Sequence, residues 1–268
     1  MSEDSTSAPL RFEHHYGDRV VACYADRPPN VYGLLRDAVA RYPDNTALIC
    51  DDTRLTYAEL DTEVRKVAAG LAARGVGCSD RVAMLLGNGT PFVVVTYAAA
   101  FLGAVTVPLN TRDQMPGIRH ALQNSDAMAL IVDAEFCDLV PPPGDTPTLT
   151  AKLSVGEATG FDAYETLLHD APAANPTLTD EEAAATILYT SGTTGTPKGA
   201  TLTGLGIIHS ATNFMQAMAL GPTDRTVVVV PMNHVTGLVA GIHTLVRCAG
   251  CIVVMRTFKA VHFLECAA

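Results

Sequence analysis

Thirty consecutive residues, 82–111, pass without an Asp, Glu, Lys, Arg or His. A stretch of that composition has to be buried or cross a bilayer. Gly87-Asn88-Gly89-Thr90-Pro91 breaks it after five apolar residues. The helical segment that follows, 91–102, is too short for a membrane, which takes about 20 residues. The run therefore reads as strand, turn, buried helix and strand, with Thr90 as the helix cap and Pro91 at its first position. No membrane span is expected.

The same alternation continues along the chain. Asn30 caps a helix whose apolar face is Val31, Leu34, Leu35, Ala38 and Val39. Thr56-Tyr57-Ala58-Glu59 is a capping box opening a second helix, with Gly75 as its stop. Strands are expected over 46–50, 81–86, 104–109, 127–132, 149–155, 184–189, 226–230 and 251–255. Further helices are expected over 114–124, 203–219 and 234–247, with a last one starting at Phe258. Residues 157–182 read as irregular and 1–18 as a mobile tail, in which His14 and His15 are solvated. Strands alternating with helices across short turns give an α/β fold with largely parallel sheets flanked by helices. Residues 19–268 form one body without internal repeats.

The functional signal is Ile187-Leu188-Tyr189-Thr190-Ser191-Gly192-Thr193-Thr194-Gly195-Thr196-Pro197-Lys198-Gly199. An apolar strand runs into a loop of glycines and hydroxyls that ends in one lysine. Glycines let backbone amides turn inward into an anion-binding concavity, the hydroxyls add donors, and Lys198 adds a point charge suited to phosphate. The loop sits at the carboxyl end of a strand, where open α/β sheets gather ligands. It is not a Walker A loop, which needs Gly before the lysine and Ser or Thr after it. Here Pro197 precedes and Gly199 follows. A flexible Ser/Thr/Gly linker has a similar composition, but linkers seldom place Pro-Lys-Gly after such a run behind an apolar strand.

From residues 189 to 199 the chain resembles the adenylate-forming superfamily of acyl-CoA synthetases, aryl-CoA ligases, luciferases and peptide-synthetase adenylation domains. The resemblance implies that Thr190, Ser191, Gly192, Thr193, Thr194, Gly195 and Lys198 grip ATP by its β- and γ-phosphates. A small-molecule carboxylic acid would attack the α-phosphorus, and a thiol would then take the acyl group. ATP, Mg2+ and coenzyme A are the implied small molecules. Pro231-Met232-Asn233-His234-Val235-Thr236-Gly237 resembles the family's Pro-Leu-Phe-His segment, so His234 is the implied group near the acyl adenylate. Read without the resemblance, His234 is a helix-start histidine satisfied by backbone. Asn233 departs from the usual bulky residue, and Gly204-Leu205-Gly206 departs from the usual His-x-Asn helix start. His209 and Asn213 read as helix-surface groups.

The family's Tyr-Gly-x-Thr-Glu motif, its ribose-binding Asp and its lid lysine have no counterpart in these residues. The expectation is the N-terminal portion of such a ligase, inactive alone, with a complementing C-terminal half as a possible partner. A non-catalytic ATP- or acyl-binding module is the alternative. A phosphotransferase or NTPase of another family is disfavoured by the missing Walker lysine–hydroxyl pair.

Composition narrows the rest. With 48% hydrophobic and 17% charged residues the chain is not disordered. A net charge of −10 supplies no basic excess for nucleic acid. Seven cysteines are odd in number and scattered, and the first residues are neither basic nor apolar, so a cytoplasmic location is expected. Cys248-Ala-Gly-Cys251 has ligand-like spacing with His243 and His262 nearby, but lacks a second close pair and reads as a turn into a strand.

Overall fold

The computed structural model describes residues 9–169, 171–190 and 196–267, without the side chains of His262 and Ala267. Its first element corrects the expected tail. Residues β1 (Leu10–His15) and β2 (Arg19–Tyr24) form an antiparallel hairpin, with His15 opposite Arg19. Tyr16 and Gly17 both take positive φ in the turn, 54° and 88°. A Tyr in the left-handed region is not a recognisable turn signal, which is why the hairpin is hidden in the sequence. His15 is only 9% exposed, so the expectation that it is solvated fails as well.

Next come α1 (Val31–Arg41), β3 (Thr46–Cys50), β4 (Thr53–Thr56) and α2 (Tyr57–Ala73). Asn30 caps α1 through Gly33 N, and Thr56 and Glu59 close a reciprocal capping box on α2, as their spacing predicts. The charge-free run then folds as β5 (Arg81–Leu85), α3 (Thr90–Leu102) and β6 (Val105–Pro108). The cap of α3 is Gly89 rather than Thr90, which is already helical and makes no side-chain cap. After α4 (Met115–Asn124) follow β7 (Ala129–Asp133), β8 (Ala151–Val155) and a short β9 (Asp162–Ala163) with a 3₁₀ turn, Tyr164–His169, in the stretch expected to be irregular. Then come β10 (Ala184–Thr190), β11 (Lys198–Thr203), α5 (Gly204–Ala217) and β12 (Arg225–Val228). The chain continues through a π-helix, Thr236–His243, to α6 (Thr244–Cys248), β13 (Cys251–Val254) and α7 (Ala260–Ala267).

Two sheets carry these strands. The larger has the order β11-β10-β6-β5-β7-β8-β9, parallel throughout except for β11. The smaller, β12-β13-β3-β4, is parallel except for the β3–β4 hairpin. Strand β5 shows why no charge is tolerated. Val82 and Met84 enter one core cluster while Ala83 and Leu85 enter the other, so both faces are covered. Helix α3 is buried almost all round, from Phe92 to Ala99 without interruption. Among the described residues no helix is long and apolar enough to cross a membrane.

The single helix expected over 234–247 is instead a π-helix passing into α6. Its last residue, His243, is fully buried, with Nδ1 3.1 Å from the Tyr97 hydroxyl and Nε2 without a partner. Burial pushes its pKa from 6.5 down to about 3, so the ring stays neutral in the fold. The unfolded chain binds this proton below 6.5 and the fold does not, so stability falls as pH drops. By pH 5 the loss is roughly 2 kcal/mol. Replacing both partners by apolar groups in the double variant Y97F/H243L should remove it. Between pH 7 and 5 the wild type should lose roughly 2 kcal/mol more than the double variant in urea unfolding; equal losses would sink this assignment.

Candidate functional site

The site is assembled at the carboxyl ends of β6 and β10. These strands pair in parallel with Thr186 opposite Thr106, and the two buried hydroxyls bond to each other at 2.8 Å. Followed four residues onward, that register sets Thr190 beside the segment leaving β6. Strand β11 returns antiparallel, so that Thr190 faces Lys198 across the hairpin, both exposed. Lys198 thus starts a strand, where the sequence reading keeps it in the loop. The strand it opens begins Lys-Gly-Ala, a weak β signal, and stays largely exposed, so no alternation marks it in the sequence. Ser191, Gly192, Thr193, Thr194 and Gly195 lie outside the described residues.

Two residues of α4 with no sequence signature, His120 and Asn124, hold the two arms of this hairpin. His120 Nε2 donates to the Pro197 carbonyl at 2.9 Å, and the Tyr189 hydroxyl donates to Asn124 Oδ1 at 2.7 Å. The rings of His120 and Tyr189 meet edge-on, 6.0 Å apart. His120 and Asn124 are four residues apart on α4 and so share one face; that spacing was the only available clue. Beneath Tyr189 runs Gly199, where a Cβ would lie 2.7 Å from Ile187 Cγ2 and 3.3 Å from the tyrosine ring. No other residue lets β11 pass so close.

His234 arrives from the other sheet. After β12 the chain is clamped by Asn88, whose Nδ2 donates to Val230 O at 3.0 Å and whose Oδ1 accepts from Met232 N at 2.9 Å. Asn233 Nδ2 then donates to Leu109 O at 2.8 Å, tying the segment to the end of β6. His234 is exposed, its N–H bonded to Pro231 O and its carbonyl to Leu238 N. Asp113 lies within electrostatic reach of it; burial raises the Asp113 pKa, opposed by its bond from Asn110 and by His234. A cavity of about 240 Å³ opens next to Asn233, walled also by Asn88, Thr111, Arg112, Pro231 and Arg256. Thr190, Lys198 and His234 therefore gather at one end of the larger sheet, although they come from three elements.

The remaining sequence candidates scatter. Cys248 and Cys251 are both buried, with Cys248 Sγ on Leu245 O, and Ala249 takes φ 58° as the turn between them. Asn213 is an exposed group of α5 as expected, accepting from the Tyr24 hydroxyl, whereas His209 is half-buried with the Tyr24 ring stacked on it at 5.0 Å.

The profile of the AMP-binding enzyme family matches residues 35–267. The chain belongs to that family. Over 264 residues it is 31% identical to the putative acyl-CoA synthetase YngI of Bacillus subtilis, covering 87% of this chain and 48% of that protein. The chain thus spans about half the length of the curated relatives it matches. The inhibitor-bound N-terminal domain of FACL13 from Mycobacterium tuberculosis superposes with a TM-score of 0.80 at 29% identity, over 88% of this chain and 60% of that one. The O-succinylbenzoate coenzyme A synthetase MenE of Bacillus subtilis, solved with AMP, gives 0.76 at 26% identity, over 90% and 59%. The adenylate-forming fold expected from the sequence is the fold found.

One position fixes where His234 sits. At Gly237 a Cβ would lie 2.3 Å from Pro231 O and 2.8 Å from Met232 Cα, both rigid backbone. At Gly241 it would meet the methyls of Val228 at 3.3 and 3.4 Å and the Thr236 carbonyl at an ordinary 3.8 Å. Alanine favours helix over glycine by about 1 kcal/mol, so G241A should be close to neutral in urea unfolding. G237A should instead cost about 1–3 kcal/mol, as overpacking does. Equal effects at the two sites would refute the close approach.

Proposed function

We propose that this chain supplies the ATP-phosphate and acyl-adenylate side of an acid–thiol ligase. The observation that carries the proposal is the Thr190–Lys198 hairpin end set beside the His234 segment at one sheet terminus, in a chain of the AMP-binding family. In this reading the amides and hydroxyls of 190–195 and the Lys198 ammonium hold the β- and γ-phosphates of ATP. A carboxylate oxygen of the acid attacks the α-phosphorus, an acyl–phosphate anhydride forms, and pyrophosphate leaves with the displaced electron pair. A thiol, that of coenzyme A by family analogy, then attacks the acyl carbon and AMP departs. His234 borders the acyl group and Lys198 stabilises charge on the departing pyrophosphate.

Mg2+ would supply charge neutralisation on the triphosphate. The Thr190 hydroxyl at the end of β10 is a hard oxygen donor of the type it takes. The relatives named acyl-CoA synthetase and coenzyme A synthetase support acid activation as the class. The ribose and lid groups such ligases use are not among these 268 residues. Held by its phosphates alone, ATP should bind here without efficient turnover.

Calorimetric titration of the chain with ATP and Mg2+ should therefore show saturable binding. K198A should weaken it about tenfold or more, the worth of a charge-assisted contact to phosphate. Acid-dependent ATP–pyrophosphate exchange by the chain alone should stay at background. Absence of saturable binding overturns the phosphate site; robust exchange overturns the need for the further groups.

A further inference from the structure

The hairpin β1–β2, which the ligase reading does not use, is bonded to both arms of the phosphate hairpin. Arg27, just after β2, is the hub, with a side chain only 3% exposed. Its guanidinium grips both oxygens of Glu13 on β1, at 2.9 and 2.7 Å. It also donates twice to Glu181 Oε2, at 2.9 and 2.7 Å, and once to its own turn at Tyr24 O. Next to it, His15 places Nε2 3.2 Å from Glu13 and Nδ1 3.0 Å from Glu182. Glu181 and Glu182 are the residues that lead into β10. From the turn, the Tyr16 hydroxyl bonds Thr203 Oγ1 at 2.7 Å, at the end of β11. The same two arms are stitched at that end by Leu205 N to Glu181 O and Gly204 N to Ala183 O.

The phosphate hairpin has need of such an anchor. β11 is the outermost strand of the larger sheet, and β10 joins β6 through a register of Thr186 with Thr106. The far end of the hairpin is held by α4 through His120 and Asn124. Its base is held by β1–β2.

Glu13, His15 and Cys23 place three ligand-type atoms within 4.8 Å of one another. The donor set does not make them metal ligands. Arg27 saturates the Glu13 carboxylate and Arg11 adds a further bond, which holds that acid well below the usual carboxylate range. Burial keeps the Cys23 thiol protonated. What the geometry asks for at His15 is a second proton, since both ring nitrogens face carboxylates.

We infer that the N-terminal hairpin is a positioning clamp for the phosphate hairpin, with Arg27 as its fixed bolt and His15 as a bolt that loosens when it loses its proton. The inference deepens the ligase reading by giving its phosphate loop a pH-dependent support, and it rests on that reading for its functional meaning only. The groups facing His15 are Glu13 on its own strand, Arg19 and Cys23 on β2, Arg27 beyond it, Glu181 and Glu182 ahead of β10, and His209 on α5. Burial works against its charge, but the bonds to Glu182 and Glu13 outweigh it and raise its pKa above 6.5. The clamp is therefore complete below 6.5 and weakens as pH rises through the raised value.

Hydrogen exchange of the chain, without ATP, tests this directly. Amides of 187–190 and 198–203 should exchange faster at pH 9 than at pH 6, by several-fold after correction for intrinsic chemistry, as local opening increases. H15Q cannot carry the charge, so it should exchange rapidly at both pH values and lose the pH response. R27M should loosen the same amides at both pH values by about tenfold, and Y16F should loosen 198–203 alone. A pH-independent wild type, or an H15Q that keeps the wild-type response, overturns the inference. The wild-type pH series needs no variant to fold, and because ATP is absent, failure of the ligase reading would leave this result standing.

Discussion

Everything at the candidate site depends on how β10 enters the larger sheet. The Thr106 and Thr186 hydroxyls meet inside a largely apolar layer at 2.8 Å, and Thr106 Oγ1 also reaches the Ala185 carbonyl of β10 at 3.3 Å. A buried hydroxyl without a partner costs on the order of 1–3 kcal/mol. A slip of β10 along β6 would separate the two hydroxyls and leave Thr186 without its partner, whereas a slip between two apolar strands would cost less. The polar pair thus fixes register in a place where hydrophobicity could not. From that register follow the position of Thr190 beside the segment leaving β6 and its nearness to the Leu109 carbonyl that takes Asn233, while the hairpin pairing of β10 with β11 sets Lys198 opposite Thr190.

Much of this was legible in the sequence wherever a residue type had one physical use. The βαβ unit could be read from 82–111 because a charge-free run broken by glycines has few folded solutions. Asn30, Thr56 with Glu59, and Gly75 announced helix ends because capping chemistry is local. A resemblance singled out the 190–199 stretch and His234, and the structure sets Thr190, Lys198 and His234 toward one end of the larger sheet. What stayed hidden depends on distant partners. β1–β2 turns at a tyrosine in a left-handed conformation, and its ion pairs reach residues more than 150 positions away. His120 and Asn124 look like ordinary helix polars until Pro197 and Tyr189 arrive. The π-helix leaves no mark, since its composition is that of any buried helix.

The two sheets divide the labour. The larger one, nearly all parallel, supplies a rigid edge from which the β10–β11 hairpin projects. The smaller one delivers the 229–235 segment, and its placement is set by Asn88, Asn233 and the missing side chain of Gly237 rather than by strand pairing. Membership of the AMP-binding family fits this arrangement, since relatives only 26–29% identical keep the same scaffold.

The smaller sheet also imposes an order of events on biosynthesis. Its central pair joins β3, at 46–50, to β13, at 251–254, about 200 residues later. At about 5–20 residues per second, the β3–β4 hairpin leaves the ribosome roughly 10–40 s before its parallel partner exists. Through that interval Leu48 and Cys50, which end fully or nearly fully buried, wait on an open strand edge. A strand made about 200 residues later thus closes β3, so a chain interrupted shortly before 251 leaves that edge unpaired.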